Sequence, residues 1–126
     1  MPIQREISTH RGASGVDRAL TIQVLDAPGD GGANHIYRVL ATSGTYNEVL
    51  CTIRFQKGGA QDAGINGITN EALLAIVLDR ISCFQQGPYN CPENEVARAK
   101  IGDALHWLHE RTRKRAERGV EGTNVI

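Results

Sequence analysis

A change in hydrophobic period divides this sequence into two parts with different secondary structure. Before residue 57, apolar residues alternate with polar ones, which is the period of a half-buried β-strand. From residue 68 onward they recur at three- and four-residue spacing, which is the period of an amphipathic helix. The glycine-rich stretch KGGAQDAGING lies between the two patterns. We therefore predict an α+β protein, with a β-rich region at 1–60 and a helical region with its tail at 61–126, forming one compact unit.

The β-rich region predicts a small antiparallel meander. Its three strands are expected at residues 19–26, 35–41 and 45–56, because turn-forming residues separate these alternating segments. A short strand near Ile3 to Ile7 is expected within an otherwise loose N-terminal arm. The predicted common face of the third strand comprises every second residue: Val49, Cys51, Ile53 and Phe55. A sheet this small is marginal alone and needs a covering element.

The helical region predicts two helices that form an antiparallel hairpin. Thr69 is suited to cap the first helix, and Gly87 with the following proline ends it. The second helix is expected to run from Pro92 to Arg118 and to end at Gly119. The stripe of the first helix is broader than one partner can cover: Leu73, Leu74, Ile76, Val77, Leu78, Ile81 and Phe84. We therefore expect hairpins of several copies to pack in an oligomeric bundle.

The composition argues against several classes of partner. The 14 basic and 14 acidic residues balance, so no overall field attracts DNA, RNA or an anionic membrane. No apolar run approaches the ~18 residues of a membrane span, and the N-terminus does not resemble a signal peptide. Three cysteines without dense spacing indicate free thiols in a reducing cytosol. We expect neither a membrane nor a nucleic-acid polymer as partner.

A row of arginines near the end of the second helix is the sharpest local charge asymmetry. Arg111, Arg115 and Arg118 recur at i, i+4 and i+7, which places them on one helix face. Guanidinium groups in such a row can bind phosphate bidentately. Cations at a helix C-terminus also complement the macrodipole, so a purely structural role remains an alternative.

Phe84 and Asn94 are expected to be neighbours, because the end of the first helix lies beside the start of the second in an antiparallel hairpin. An aromatic plane beside an amide can stack on a base and read a base edge or a ribose. The alternative is that Phe84 is an ordinary core residue and Asn94 an ordinary residue of a helix start.

The sequence offers little support for catalysis or metal binding. It contains neither a GxSxG elbow nor a CxxC or HxxxH pattern, so we predict no catalytic residue, no metal ligand and no cofactor. A small phosphodiesterase remains an alternative, built on Asp79 with Asp103 and on His106 or His109. A structural or nucleic-acid-binding protein that uses the arginine row is the other alternative.

Four segments of the second half carry a family resemblance: TNEALL, FQQGPYNCPEN, ALHWL and the RTRKRAERGVEGT ending. Together they resemble the helical-hairpin module of phage anti-defence nucleotide sponges, namely the first-described Thoeris anti-defence proteins and the related anti-CBASS sponges. The β-rich first half makes the chain more similar to the Thoeris type.

The resemblance implies binding without chemistry. Such sponges sequester cyclic ADP-ribose isomers, and some also hold cyclic di- or trinucleotides, inside the cytoplasm of the infected bacterial host. They assemble as symmetric oligomers, typically hexamers. The positions that match the family's cyclic ADP-ribose pocket are Phe84, Asn94 and Arg111. Local spacing extends this set to Arg115 and Arg118, and the strand residues Arg38 and Arg54 complete the candidates.

Overall fold

The computed structural model describes residues 2–126, which form an antiparallel sheet followed by helices, so the predicted α+β class is confirmed. The sheet has four strands that hydrogen-bond in chain order. They are β1 (Arg5–Ile7), β2 (Leu20–Val24), β3 (Ile36–Ser43) and β4 (Tyr46–Arg54). The helices are α1 (Gly15–Ala19), α2 (Ala60–Ala63), α3 (Asn70–Gln85) and α4 (Pro92–Glu117).

Backbone contacts divide the described chain into two compact units. The first unit extends to Gly58 and includes Ile65–Gly67, and it contains the sheet. The second unit consists of Gly59–Gly64 and Ile68–Ile126, and it contains α2, α3 and α4. Among residues 2–126, no helix is both long enough and apolar enough to span a membrane.

The sheet confirms the predicted strands and the short strand in the N-terminal arm. β1 pairs antiparallel with β2, with Ile7 opposite Ile22. The alternation in β2 places Leu20, Ile22 and Val24 on one face, and Val24 is fully buried. The rest of the arm is more ordered than expected, because α1 interrupts it and the Ser14 hydroxyl caps that helix.

A β-bulge in β4 corrects the predicted face of this strand. Cys51 pairs with Val39, whereas Val49 pairs with Leu40, so Leu50 is an extra residue without a direct partner. Since neighbouring residues of β3 point to opposite faces, Val49 and Cys51 also lie on opposite faces. The prediction that they share a face was therefore wrong. A bulge reverses the faces of the residues beyond it, but it leaves no mark in the alternation of the sequence from which the face was predicted.

The connection between β2 and β3 is closed by the Asp26 carboxylate. Its oxygens accept hydrogen bonds from the backbone N–H of His35 and of Ile36, at 2.9 Å each. The buried Asn34 amide donates to the Asp26 carbonyl at 2.7 Å and accepts from Arg5 at 2.7 Å. These contacts anchor a glycine-rich loop at both of its ends.

The two long helices begin and end within about one residue of the predicted positions. The Thr69 hydroxyl accepts a hydrogen bond from the backbone N–H of Ala72 at 3.0 Å, which caps α3. Pro92 occupies the first turn of α4, where a missing N–H costs nothing. Gly119 follows α4 with a φ of +73°, a conformation that favours glycine.

The α3–α4 hairpin leaves much of its apolar surface uncovered. Every residue of these two helices is described, and none of them is fully buried. Ile76 is 64% exposed on α3, and Trp107 is 65% exposed on α4. One hairpin therefore does not bury its own apolar residues, in agreement with the breadth of the predicted stripe.

Candidate functional site

A side-chain clasp fixes the turn between α3 and α4. The Gln85 amide nitrogen donates to the Cys91 carbonyl, and the Gln85 amide oxygen accepts from the Cys91 backbone N–H, at 3.0 Å each. The Asn90 amide donates to the Gly87 carbonyl at 2.8 Å. One side chain at the end of α3 therefore pairs with the backbone that begins α4, which gives the turn a defined geometry.

A pocket of about 630 Å³ lies on α3 and this turn, and we call it the turn pocket. Its volume falls within the ~300–1,000 Å³ that is typical of small-molecule sites. The lining is mostly apolar, with one cation and one carboxylate. The residues that line it are Ile76, Asp79, Arg80, Cys83, Phe84, Gly87, Pro88 and Tyr89.

Phe84 lies in the turn pocket with an arginine over its ring. Its side chain is 37% exposed, and the Arg80 guanidinium carbon lies 5.1 Å from the ring centroid. This distance is within the ~6 Å of a cation–π contact. Arg80 was not among the predicted site residues, although its four-residue spacing from Phe84 was a sequence signal for the contact. Tyr89, 75% exposed, adds a second aromatic ring to the lining.

Asn94 lies in the first turn of α4 and is half-buried. Its side chain makes no hydrogen bond within residues 2–126, and it is not one of the residues that line the turn pocket. The neighbouring Glu95 is paired with Arg98 at 2.6 Å, and the hydrogen bond from this guanidinium lowers the pKa of the Glu95 carboxyl. The Arg98 guanidinium is therefore paired with Glu95, whereas the Asn94 side-chain amide has no hydrogen-bond partner within residues 2–126.

A second pocket, of about 370 Å³, lies at the other end of α4, and we call it the basic pocket. All three arginines of the predicted row line it, so this row does come together on one surface. The full lining comprises Trp107, Glu110, Arg111, Lys114, Arg115, Arg118 and Ile126.

The three arginines of the basic pocket differ in what they contact. Arg115 is only 12% exposed, and it donates to the carbonyls of Val120, Thr123 and Val125 at 2.7–3.1 Å. Arg118 donates to the carbonyl of Ile126 at 3.0 Å. These contacts fold the C-terminal segment back onto α4.

Arg111 is exposed and makes no hydrogen bond within the described part of the chain. Arg113, by contrast, is paired with both Glu110 and Glu117. The pKa of the Glu110 carboxyl is lowered, chiefly by its hydrogen bond from Arg113. Arg111 is therefore the arginine of the row that is free to bind an anion without first breaking a contact.

Arg38 and Arg54 lie on the sheet of the first unit and share one of its faces. Arg38 pairs across the strands with Thr52, and Arg54 lies two residues further along β4. Both Nε and Nη2 of Arg38 donate to the Gln23 side-chain oxygen, at 3.0 and 2.6 Å. Arg54 is exposed.

The candidate residues of the hairpin do not all meet within one chain. Asn94 and Arg111 are 17 residues apart on α4, which corresponds to about 25 Å along the helix. A small-molecule pocket of up to ~1,000 Å³ is only about 10 Å across. The turn pocket and the basic pocket are therefore separate surfaces at opposite ends of the hairpin.

The described residues contain no group of three or more His, Cys, Asp or Glu side chains that could hold a metal ion. The three cysteines are unpaired, as expected. The Cys83 thiol lies 4.0 Å from an oxygen of Asp79 inside the turn pocket.

The described residues form a small α+β protein, in which an antiparallel sheet precedes a helical hairpin that carries one largely apolar pocket and one basic pocket. The chain belongs to the Acb2/Tad1 family, because the family model "Acb2/Tad1, hairpin domain" matches residues 47–113, more than half of its length. The match begins in β4 and continues into α4. It confirms the resemblance to the Thoeris anti-defence sponge family.

A relative in Bacillus phage SBSphiJ7, "Thoeris anti-defense 1", is 47% identical to this chain over 75 residues. The aligned segment covers 60% of this chain and 53% of the relative. The chain therefore spans about half the length of the curated relative that it matches.

Proposed function

We propose that this protein binds a cyclic nucleotide immune messenger and sequesters it without cleaving it, which blocks Thoeris-type anti-phage signalling in the cytoplasm of the infected host. A cyclic ADP-ribose isomer is the first candidate ligand, and cyclic di- and trinucleotides are the second. Membership of the Acb2/Tad1 family and the name of the phage relative support this role.

The observation that carries the proposal is the pairing of chemistries on one hairpin. A cyclic ADP-ribose isomer presents an adenine, two riboses and a diphosphate. Phe84 offers an exposed aromatic plane for the base, and Asn94 offers an unused amide for polar edges. Arg111 offers an unpaired guanidinium for the diphosphate. Arg115, Arg118, Arg38 and Arg54 are further candidates for phosphate binding.

A homo-oligomer is part of the proposal, with a hexamer favoured by the family resemblance. Phe84 and Asn94 are too far from Arg111 in one chain to hold the same small ligand. A second hairpin packed in the reverse direction brings its Arg111 to the turn pocket of the first. The exposed Ile76, Val77 and Trp107 supply apolar surface for such packing.

Calorimetric titration of the purified protein with a cyclic ADP-ribose isomer tests this function. We expect binding, followed by recovery of intact ligand after heat denaturation of the complex. Loss of ligand at catalytic protein concentrations would instead indicate a phosphodiesterase. The absence of binding to any cyclic ADP-ribose isomer or cyclic oligonucleotide would reject the proposal.

A further inference from the structure

Arg80 stands apart from the other arginines of the hairpin in what it contacts. Arg98 and Arg113 each form ion pairs with glutamates three or four residues away, and Arg115 pairs with Glu121. Arg80 forms no ion pair within residues 2–126. Its contact is with the face of Phe84, inside the turn pocket.

The position of Arg80 determines which surface of Phe84 a ligand can use. A phenyl ring has two faces, and the guanidinium lies 5.1 Å above one of them. While the guanidinium holds this position, a planar base can stack directly on the ring only from the other face. Because Arg80 and Phe84 are four residues apart on one helix face, the contact also restricts the rotamers of the ring.

We propose that Arg80 is a positioning residue of a base-binding site in the turn pocket, where it covers one face of Phe84 and holds the ring for stacking of a nucleobase on the other. This inference rests on the proposed function and adds a residue to it. Arg80 acts here through Phe84 and not by binding phosphate itself. Removal of the Phe84 ring distinguishes the two roles. An effect of Arg80 that acts through the ring is lost with the ring, whereas a direct contact between Arg80 and phosphate is retained.

A double-mutant cycle separates these roles. We expect Arg80→Met to weaken binding of a cyclic ADP-ribose isomer roughly two- to fivefold, the range of an exposed cation–π contact. Arg80→Lys should retain most of the affinity, because an ammonium group also binds an aromatic face. In a Phe84→Leu background, Arg80→Met should have no further effect.

Lys100→Met is the matched control, since it removes one exposed cation of α4 outside both pockets. Its affinity should equal that of the wild type, and melting curves should show that all the variants fold. An equal loss of affinity on Arg80→Met with and without the Phe84 ring would overturn the inference, because it would indicate direct contact with the ligand.

A second measurement needs no ligand. The chain contains only two phenylalanines, so ring-labelled Phe gives an NMR spectrum of two residues, with Phe55 as the internal reference. We expect Arg80→Met to shift the ring resonances of Phe84 and to leave those of Phe55 unchanged. Unchanged Phe84 resonances would overturn the positioning role, whereas failure of the wild type to bind any cyclic nucleotide would overturn the proposed function.

Discussion

The arginines of α4 differ in what their side chains contact, and their positions in the sequence do not reveal these differences. The spacing predicted that Arg111, Arg115 and Arg118 share a face, and all three do line the basic pocket. The spacing could not show that Arg115 is occupied, because its acceptors are backbone carbonyls of a segment that folds back. Such contacts depend on the path of the chain and leave no periodic signal.

Arg115→Met should therefore act mainly on stability. It removes three charge-assisted hydrogen bonds to the C-terminal segment, and we expect the free energy of unfolding to fall by about 1–3 kcal/mol. Amide hydrogen exchange of residues 120–125 should accelerate. Arg111→Met is the matched control, because its exposed side chain makes no such bonds: its stability should be unchanged and its ligand affinity sharply reduced. Equal melting temperatures for the two variants would contradict this assignment.

We predict that the free energy of unfolding of the first unit falls in acid because the Asp26 carboxylate becomes protonated. Burial alone raises the pKa of its carboxyl, but the N–H groups of Ile36 and His35 and the His35 ring outweigh this effect and lower it. The stabilisation is therefore complete above the ordinary pKa of 3.8 and is lost as the pH falls below that value toward the folded pKa.

Urea unfolding at pH 6 and at pH 3 tests this effect. The wild type should lose more stability between the two pH values than Asp26→Asn, which has no carboxylate to protonate. At pH 6 the variant should be less stable by about 1–2 kcal/mol, because the amide replaces a charged acceptor. Asp30→Asn, an exposed change in the same loop, should follow the wild type. A parallel pH dependence of Asp26→Asn and wild type would exclude the carboxylate as the source.

At the level of elements, the helices were more predictable than the strands, and the reason is the range of the interactions. Thr69, Pro92 and Gly119 act on backbone groups within a few residues, so the ends of α3 and α4 follow from local sequence. The bulge at Leu50 depends on the register between two strands. Alternation in one strand carries no information about that register.

The clasp at the hairpin turn is the element-level contact with the clearest test. Gln85→Ala removes both hydrogen bonds to Cys91, and we expect it to cost about 1–2 kcal/mol of stability. The Cys91 amide should also exchange faster with solvent. Gln86→Ala is the neighbouring control, since its exposed side chain takes no part in the clasp. Similar melting temperatures for the two variants would show that the clasp contributes little.

For the whole molecule, the sequence indicated which residue types could form the proposed nucleotide site, but not how these residues are arranged in space. Residue types and helix faces are local properties, and they indicated Phe84, Asn94 and the arginine row. We predicted that Phe84 and Asn94 are neighbours. In the structure, Phe84 lines the turn pocket, whereas Asn94 is not among its lining residues. The distance between the two ends of α4 follows from the length of an unbroken helix, and it separates Asn94 from Arg111 by about 25 Å.

If the site is shared between two copies, two inactive variants should restore binding when their subunits are mixed. A site within one chain would not show this complementation. Phe84→Ala and Arg111→Ala should each abolish most ligand binding when purified alone. In a mixed two-fold pair, one site combines both substitutions, while the other combines the intact Phe84 of one copy with the intact Arg111 of its partner. Subunits mixed at random should therefore recover about a quarter of the wild-type sites.

The measurement is calorimetric stoichiometry after the two variants have been denatured together and refolded. The control is the same mixture prepared from separately refolded proteins, in which subunits have not exchanged and no sites should appear. Native mass spectrometry of the mixture verifies that mixed oligomers have formed. If mixed oligomers form and no binding returns, the aromatic and cationic groups do not meet across an interface, and the ligand must be held by the groups of one hairpin end alone.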